Sequence, residues 1–497
     1  MLGRDEANAH GRTRWLWALA PLVFTAVVYY PVVHGNFYAD DFLNLYQIAN
    51  DRFLQYWVTP NGGHVHLVRN PIFYLTDQLA GTHPAPYYWC AFLTHLVNVW
   101  LLFRLIQLLT QSVRLACFGA ALWGISPFNE GTLGFYSVYG HALVGTVLLV
   151  ILLQASAVAA AAREPSRRTL WVWYALALIA ANCFGTGLGV ALALPFALYL
   201  LLPPPRGFPA RRLPPLLSLV VVLPALYAFV LWAYRTMLGS ADFFQPYPGL
   251  MSAAVPIYLS HLIALGFTRL VLGAYSPSWM TLGVWYGGLA CFALALAVVL
   301  RRADGSVRRQ IAACTLLLLA AYGMVALGRT FLFTRWPMSV FVQLSRYHYV
   351  GQLLLTIMLC ILLNQIAPAV AGRVRTLALV GWYGVALFVY ARFGTPIDIH
   401  LKAEQDTQAV LASIREAIEA QPPGQPVYIA NRFFAPLPVP PPMFPGWAGA
   451  FTIFYPDNTV DGRRVYFVES SPVTRAAAAR GRRTRTLVVP PPSPGGG

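Results

Sequence analysis

The chain has 497 residues, of which 58% are hydrophobic and only 11% are charged. Globular domains that dissolve in water carry about 25% charged residues, so this composition excludes an ordinary soluble enzyme. The formal net charge of +17 does not indicate a nucleic-acid-binding domain, because the arginines stand as small clusters between apolar runs and not on one soluble face. We therefore expect an integral membrane protein with no nucleic-acid partner.

Apolar runs long enough to cross a hydrocarbon core of about 30 Å recur along the chain. Lipid offers the backbone no hydrogen-bond partners, so each run is predicted to be a helix. The predicted fold class is an all-α polytopic membrane protein of about 11 transmembrane helices with a small C-terminal α/β appendage. The predicted spans are 15–33, 88–109, 113–128, 138–161, 170–183, 187–202, 213–238, 282–300, 310–328, 348–369 and 376–392.

Arginine clusters between the spans predict the orientation, because positively charged loops stay in the cytoplasm. They place the N-terminus (1–14) in the cytoplasm and the C-terminus outside. The apolar run 254–275 is the exception, since a span there would put the cluster 301–309 outside. We interpret it as an interfacial or re-entrant helix on the outer side. The alternative is a twelfth span that breaks the charge rule.

Two segments are too long to be simple connections. The first is a large outer loop, 34–87, within the transmembrane domain 15–392. The second follows the last span, where 400–420 has helical apolar periodicity and PVYIA, AFTIFY and RVYFVE have strand composition. We predict a small extracytoplasmic α/β domain over 393–480 and a disordered Pro- and Gly-rich tail over 481–497.

Two adjacent carboxylates, Asp40 and Asp41, stand in NFYADDF just after the first predicted span. Carboxylates at a membrane surface commonly cap helices or face solvent, but the whole chain has only 18 acidic residues. Such a pair between helices can act as a general base or hold a divalent cation. Glu130, in SPFNEG at the outer end of the third span, is another candidate, because ionisable groups at the membrane are commonly functional.

Basic and imidazole side chains are candidates for binding an anionic substrate group. The first loop contains His64, His66 and Arg69 in HVHLVRNP. No third metal ligand accompanies the H-x-H spacing, so we favour orientation of an anionic group over metal binding.

Further candidates stand at the outer ends of later spans. His141 begins the fourth span, and Arg346 and His348 stand among aromatic residues in LSRYHY before the tenth. This last pair suits a lipid-linked phosphate, and the alternative is interfacial anchoring, since Tyr and Arg favour this depth. His95 and Asn98 share a helix face in the second span, which is typical of helix packing.

The order of these motifs resembles the GT-C superfamily of membrane glycosyltransferases. It is most similar to the bacterial relatives of protein O-mannosyltransferases, and the resemblance covers residues 15–160 well and the later spans in outline. The motifs that carry it are the acidic pair at 40–41, RNP at 69–71, GTHP at 81–84, HLVN at 95–98 and PFNE at 127–130.

The resemblance implies a hexosyl- or pentosyltransferase that takes a sugar from a polyprenyl-phosphate donor at the outer face. Asp40 matches the first acid of the family's pair and is the expected general base on the acceptor hydroxyl, with Asp41 as the fallback. Glu130 matches a second acidic position that orients the acceptor or the sugar. Arg346 and His348 are the expected phosphate contacts. The acceptor is a glycan, lipid or protein, and the reaction usually inverts the anomeric carbon.

The chain departs from the family pattern at 182–189 (NCFGTGLG), where relatives often have a charged pair. Two other interpretations therefore stay open: a lipid or glycan transporter or flippase, and a non-catalytic scaffold. Transporters commonly show inverted repeats and charges at mid-membrane, whereas the candidates here gather on one side. No glycosylation sequon is present, which favours a bacterial inner membrane.

Overall fold

The structure is a computed structural model. It describes residues 17–37, 40–60, 64–202, 214–238, 253–273, 281–330 and 338–366, parts of 377–388 and 405–422, and the strands 427–431, 459–460, 463–469 and 486–487. Within these residues, eight helices are long and apolar enough, by length and composition, to cross a membrane. The protein is therefore an all-α polytopic membrane protein in its main domain, as the composition predicts.

The helices are numbered in chain order. They are α1 (Trp17–His34), α2 (Asp40–Asn50), α3 (Phe53–Val58), α4 (Arg69–Ala80), α5 (Pro84–Thr110), α6 (Val113–Gly124), α7 (Glu130–Leu133), α8 (Gly140–Ala160), α9 (Arg167–Cys183), α10 (Gly185–Leu201), α11 (Pro214–Leu217), α12 (Leu219–Leu238), α13 (Ala254–Leu272), α14 (Leu282–Arg302), α15 (Gly305–Arg329), α16 (Met338–Val342) and α17 (Tyr349–Ile366). Short 3₁₀ turns cover Pro127–Asn129, Tyr136–Val138 and Ser345–Tyr347. The described residues of the last predicted span, 376–392, are also helical.

The connections between the helices lie on two opposite faces of the bundle, called here the Asp40 face and the arginine face. The Asp40 face carries α2–α4 and the 3₁₀ turns at 127–129, 136–138 and 345–347. The arginine face carries the connections α5–α6, α8–α9 and α14–α15. Because the guanidinium at the end of α15 reaches the loop before α4, α15 ends on the Asp40 face. The described arginines of the predicted cytoplasmic clusters lie at or near the arginine face: Arg104, Arg114, Arg163, Arg167, Arg168, Arg301, Arg302, Arg308 and Arg309.

Short polar side chains begin three helices on the arginine face. Ser112, Ser166 and Asp304 accept hydrogen bonds from backbone amides in the first turns of α6, α9 and α15. Each such cap satisfies a donor that the helix itself leaves unpaired. The long helices then pack by their apolar sides, with α10 along α15 and α5 along α6 and α8.

Helix α13 is long and apolar enough to be a candidate span, and it packs on the first half of α14. The ring of His261 lies 6.5 Å from the ring of Trp285, and the Thr268 hydroxyl donates to the Trp285 carbonyl at 3.2 Å. Phe267 stacks on Phe292, about two turns further along α14, with ring centroids 4.4 Å apart. The re-entrant interpretation of this apolar run therefore stays a prediction.

The C-terminal segment contains a four-stranded sheet with strand order β2-β3-β1-β4. The strands are β1 (Val427–Asn431), β2 (Thr459–Val460), β3 (Arg463–Glu469) and β4 (Thr486–Leu487). β1 pairs in parallel with β3 and β4, and β2 pairs antiparallel with β3. The predictions from PVYIA and RVYFVE are confirmed, whereas AFTIFY lies outside the described residues.

Two further features concern this segment. The described helical residues between 405 and 419 match the helix predicted at 400–420, and Arg415 Nε donates to Glu419 Oε1 at 2.6 Å one turn along. Strand β4 falls in the tail that we expected to be disordered. Its local sequence, TLVV, has strand composition, and the run of Pro and Gly begins only at residue 490.

Candidate active site

The described residues of the segment predicted as the first outer loop are mostly helical, and Asp41 anchors them to the bundle. The Asp41 side chain is fully buried. Its Oδ1 accepts hydrogen bonds from the backbone N–H and the hydroxyl of Ser137, each at 2.6 Å, and its Oδ2 accepts one from the Tyr88 hydroxyl at 3.3 Å. Since Ser137 lies just before α8 and Tyr88 in α5, Asp41 ties α2 to two long helices.

Asp41→Ala is expected to destabilise the protein strongly. It removes hydrogen bonds to a charged acceptor and leaves the buried Ser137 N–H without its partner, which costs about 3 kcal/mol. Thermal unfolding in detergent measures this, with Asp51→Ala as the control, because Asp51 is half-buried and, among the described residues, its side chain accepts only from Gln55 at 3.3 Å. Equal melting temperatures for the two variants would contradict the anchoring role.

Asp40 differs from its neighbour. It begins α2, is partly exposed, and its carboxylate makes no hydrogen bond within the described part of the chain. Burial raises the pKa of Asp40, and the positive charges of Arg346, Arg329 and Arg69 act against that increase, in this order of strength. A carboxylate without a hydrogen bond and with a raised pKa is a stronger proton acceptor than an exposed aspartate. The two carboxylates of the predicted pair thus differ: that of Asp41 is hydrogen-bonded at both oxygens, and that of Asp40 has no hydrogen bond among the described residues.

Arg69 and Asn44 form a chain of hydrogen bonds that ends at the Asp40 carbonyl. The Arg69 guanidinium is buried and donates to Asn44 Oδ1 at 2.6 Å, while Asn44 Nδ2 donates to the Asp40 carbonyl at 2.8 Å and to Ser137 Oγ at 3.0 Å. The guanidinium also lies over the Phe73 ring, 5.8 Å from its centroid. Arg69 therefore orders the start of α2 and contributes positive charge.

A second cation, Arg329, reaches the same site from the end of α15. One Nη of Arg329 lies 2.9 Å from His64 Nε2. A guanidinium only donates, so Nε2 accepts and His64 carries its proton on Nδ1. Burial lowers the pKa of His64, and the charge of Arg329 adds to that effect. His64 thus stays neutral and holds the Arg329 guanidinium beside Tyr347, whose ring centroid lies 5.5 Å away.

The segment 182–189 holds this loop in place. The Phe184 ring contacts three imidazoles, those of His64, His66 and His141, at centroid distances of 4.8, 5.1 and 4.0 Å. His66 Nδ1 also lies 3.2 Å from the Cys183 carbonyl. A Cβ at Gly185 would come within 2.5 Å of the His64 ring. The segment 182–189 therefore packs against the residues from His64 to His66.

Glu130 positions the turn that carries Arg346. The Ser345 hydroxyl donates to Glu130 Oε1 at 2.7 Å. A Cβ at Gly131 would lie 2.8 Å from the Arg346 backbone nitrogen, so only glycine permits this close approach. The Arg346 guanidinium lies over the rings of Phe135 and Tyr347, at 5.6 and 5.4 Å. Glu130 therefore binds the residue that immediately precedes Arg346.

His348 and His141, which were predicted as substrate contacts, make hydrogen bonds within the protein. His348 is fully buried, with Nδ1 3.0 Å from the Tyr322 hydroxyl and Nε2 2.7 Å from the Val342 carbonyl, and it stacks on Phe128. Both ring nitrogens are thus occupied within the protein. His141 keeps its Nδ1 2.8 Å from the Thr186 hydroxyl, and its buried Nε2 has no partner among the described residues.

The predicted packing role of His95 is also visible. Its ring nitrogens lie 2.9 Å from the Tyr349 hydroxyl and from the Gly124 carbonyl, and Asn98 donates to the Ala142 carbonyl at 2.9 Å. Both residues therefore join α5 to neighbouring helices.

The acidic pair does not fit a divalent cation. Both Asp41 oxygens accept hydrogen bonds, and Asp40 lies in the field of three guanidinium groups, which repel a cation. The described residues contain no group of three or more His, Cys, Asp or Glu side chains that could hold a metal.

No protein-family model matches the chain, and no curated protein matches it. Among solved structures, the chain is similar to the archaeal oligosaccharyltransferase AglB from Archaeoglobus fulgidus, solved in complex with an inhibitory peptide and a dolichol-phosphate. The TM-score is 0.41 and the sequence identity 11%, and the match covers 90% of this chain. It covers 64% of that chain, so this chain spans less than two thirds of its neighbour's length. A similarity of this size does not define an activity.

Arg329 is the residue that sequence reasoning missed. It stands in GRTFLFTR at the outer end of the predicted ninth span, where a basic residue is an ordinary anchor. Its position outside the arginine clusters that are predicted to be cytoplasmic is the signal that could have identified it.

Proposed function

We propose that the protein is a membrane glycosyltransferase of the GT-C kind that moves a sugar from a polyprenyl-phosphate-linked donor to an acceptor hydroxyl. The observation that carries the proposal is the contrast between the two aspartates: Asp41 is fully hydrogen-bonded, and Asp40 presents a free carboxylate among cations. The order of sequence motifs supports the same conclusion, because it resembles that family.

The chemistry requires a base and an anion site, and the Asp40 face offers both. The Asp40 carboxylate takes the proton of the acceptor hydroxyl while the hydroxyl oxygen attacks the anomeric carbon. The bond between that carbon and the phosphate oxygen breaks, and the electron pair leaves with the phosphate. The guanidinium groups of Arg346 and Arg329 stabilise the negative charge that develops on the phosphate. One displacement inverts the anomeric carbon.

The proposed orientation places this reaction at the extracytoplasmic face. The described arginine clusters lie on the opposite face of the bundle, and arginine-rich loops stay in the cytoplasm. The N-terminus is then cytoplasmic and the sheet of the C-terminal segment extracytoplasmic, in a bacterial inner membrane. A lipid-linked donor reaches the site sideways from the outer leaflet, and the acceptor is a glycan, a lipid or a protein.

A transporter or a scaffold is the competing proposal. A partly buried carboxylate without hydrogen bonds lowers the stability of the folded state. A scaffold has no use for such a carboxylate next to three cations. A transporter for anionic lipids would use the cations but not the carboxylate. Retention of a destabilising carboxylate is most simply explained by chemistry.

The test is transfer of a labelled sugar from polyprenyl-phosphate donors in proteoliposomes that contain the full-length protein. We expect product to form with a panel of polyprenyl-phosphate hexoses and pentoses and not with nucleotide sugars, since the sequence has no Gly-rich phosphate loop of the nucleotide-binding form. Movement of the donor between leaflets without product would support the transporter interpretation. The absence of both product and donor movement would support the scaffold interpretation.

A further inference from the structure

A pocket lies on the arginine face, at the ends of four helices. It has a volume of about 180 Å³, and it is formed by the last turns of α5, α8 and α10 and the first turn of α15. Its walls combine the leucines Leu108, Leu109 and Leu201 with Ser156, Arg309 and Gln310. Helix ends mark the level where a span leaves the hydrocarbon core, so this pocket lies at the membrane surface opposite Asp40.

Arg309 supplies the charge in this pocket. Its Nε is buried and has no hydrogen-bond partner among the residues that the structure describes. A Cβ at Gly305 would lie 3.5 Å from Arg309 Nη1, so the guanidinium folds back over the first turn of α15. Oδ1 of the nearby Asp304 accepts from two amides of that turn at 2.8 and 2.9 Å. A buried donor without a partner indicates a ligand that accepts from it.

The neighbouring Arg308 has a different environment. It is exposed, and its guanidinium donates to the Arg301 carbonyl at 3.3 Å. It carries the same charge on the same helix but does not line the pocket. The two arginines therefore form a matched pair in which only one faces the cavity.

The geometry points to a binding site for the phosphate headgroup of an anionic glycerophospholipid from the leaflet on the arginine face. Arg309 binds the phosphate, the polar group of Ser156 lies beside it, and the acyl chains run along the leucines. The volume is below the range of roughly 300 to 1,000 Å³ that is usual for pockets of drug-sized ligands and is sufficient for one headgroup. Basic pockets between spans on the cytoplasmic side commonly bind such headgroups. The site is independent of the transferase chemistry proposed above.

Native mass spectrometry of the delipidated full-length protein tests this inference. The protein is titrated with phosphatidylglycerol and with phosphatidylcholine of the same acyl chains. We expect one phosphatidylglycerol to bind preferentially, with an affinity about tenfold lower in Arg309→Gln, since a charge-assisted hydrogen bond is lost. Arg308→Gln should bind like the wild type. Ser156→Leu should also weaken binding, because it fills the pocket without changing the charge.

Three outcomes would overturn the inference. Equal losses in Arg309→Gln and Arg308→Gln would show attraction to the whole basic face. Equal binding of the two lipids would show that the pocket does not distinguish the anionic headgroup of phosphatidylglycerol from the zwitterionic headgroup of phosphatidylcholine. Displacement of the lipid by inorganic phosphate, at an ionic strength matched with chloride, would assign the pocket to a soluble anion.

Discussion

Asp40→Asn is expected to reduce sugar transfer about a thousandfold while leaving the protein folded. General base catalysis contributes roughly 10²–10⁴ in rate, and the amide cannot accept the proton of the acceptor hydroxyl. The donor should still bind, because the cations around residue 40 remain. The measurement is the initial rate in proteoliposomes together with donor binding.

Stability separates this effect from damage to the fold. Burial raises the pKa of Asp40, so the ionised carboxylate costs stability at every pH above its pKa in the folded state. Asp40→Asn should therefore melt at a temperature equal to or above that of the wild type at neutral pH. The difference should disappear below about pH 4, where the aspartate is protonated in the unfolded state as well.

Asp51→Asn is the matched control for the rate, since Asp51 lies in the same outer loop and away from the cations that act on Asp40. Full transfer by Asp40→Asn would remove Asp40 from the mechanism. A similar loss in both variants would point to a general effect of the loop on folding.

The sequence predicted the helices better than the site. Apolar runs predicted the long helices, and the errors lie mainly at their ends. The second span, predicted from residue 88, begins at Pro84, because proline is well suited to a first helical turn and polar sequence can continue a helix beyond the membrane. The helices α2–α4 were expected only as a long loop, since their short, mixed sequences depend on packing against the bundle.

The roles within the site depend on contacts between distant residues. Nothing in the sequence distinguishes Asp40 from Asp41, and only the resemblance favoured the first. The distinction comes from Ser137, 96 residues away in sequence, which occupies Asp41. In the same way, the sequence predicted His348 as a phosphate contact, whereas in the structure its two ring nitrogens lie within hydrogen-bond distance of the Tyr322 hydroxyl and the Val342 carbonyl. Local patterns cannot show such pairings.

Arg346→Gln is expected to lower the transfer rate at neutral pH about a hundredfold. Removal of one group that stabilises charge in a transition state costs roughly 10²–10³ in kcat, and here the charge is that of the departing phosphate. Arg346→Lys should restore little of the rate, because the planar guanidinium lies over Phe135 and Tyr347 and an ammonium does not stack in this way. The exposed Arg52 in the first loop provides the control, Arg52→Gln, which should keep the wild-type rate.

The pH profile of the same variant gives a readout that a structural defect would not mimic. Transfer requires ionised Asp40, so the rate falls as the pH decreases through the pKa of Asp40. The positive charge of Arg346 opposes the increase in that pKa, so its removal raises the pKa further. The acidic limb should therefore shift to higher pH, and Arg52→Gln should not shift it. An unchanged limb in Arg346→Gln would mean that the two residues do not share a site, and the anion site would then have to be assigned to Arg329 and His64 alone.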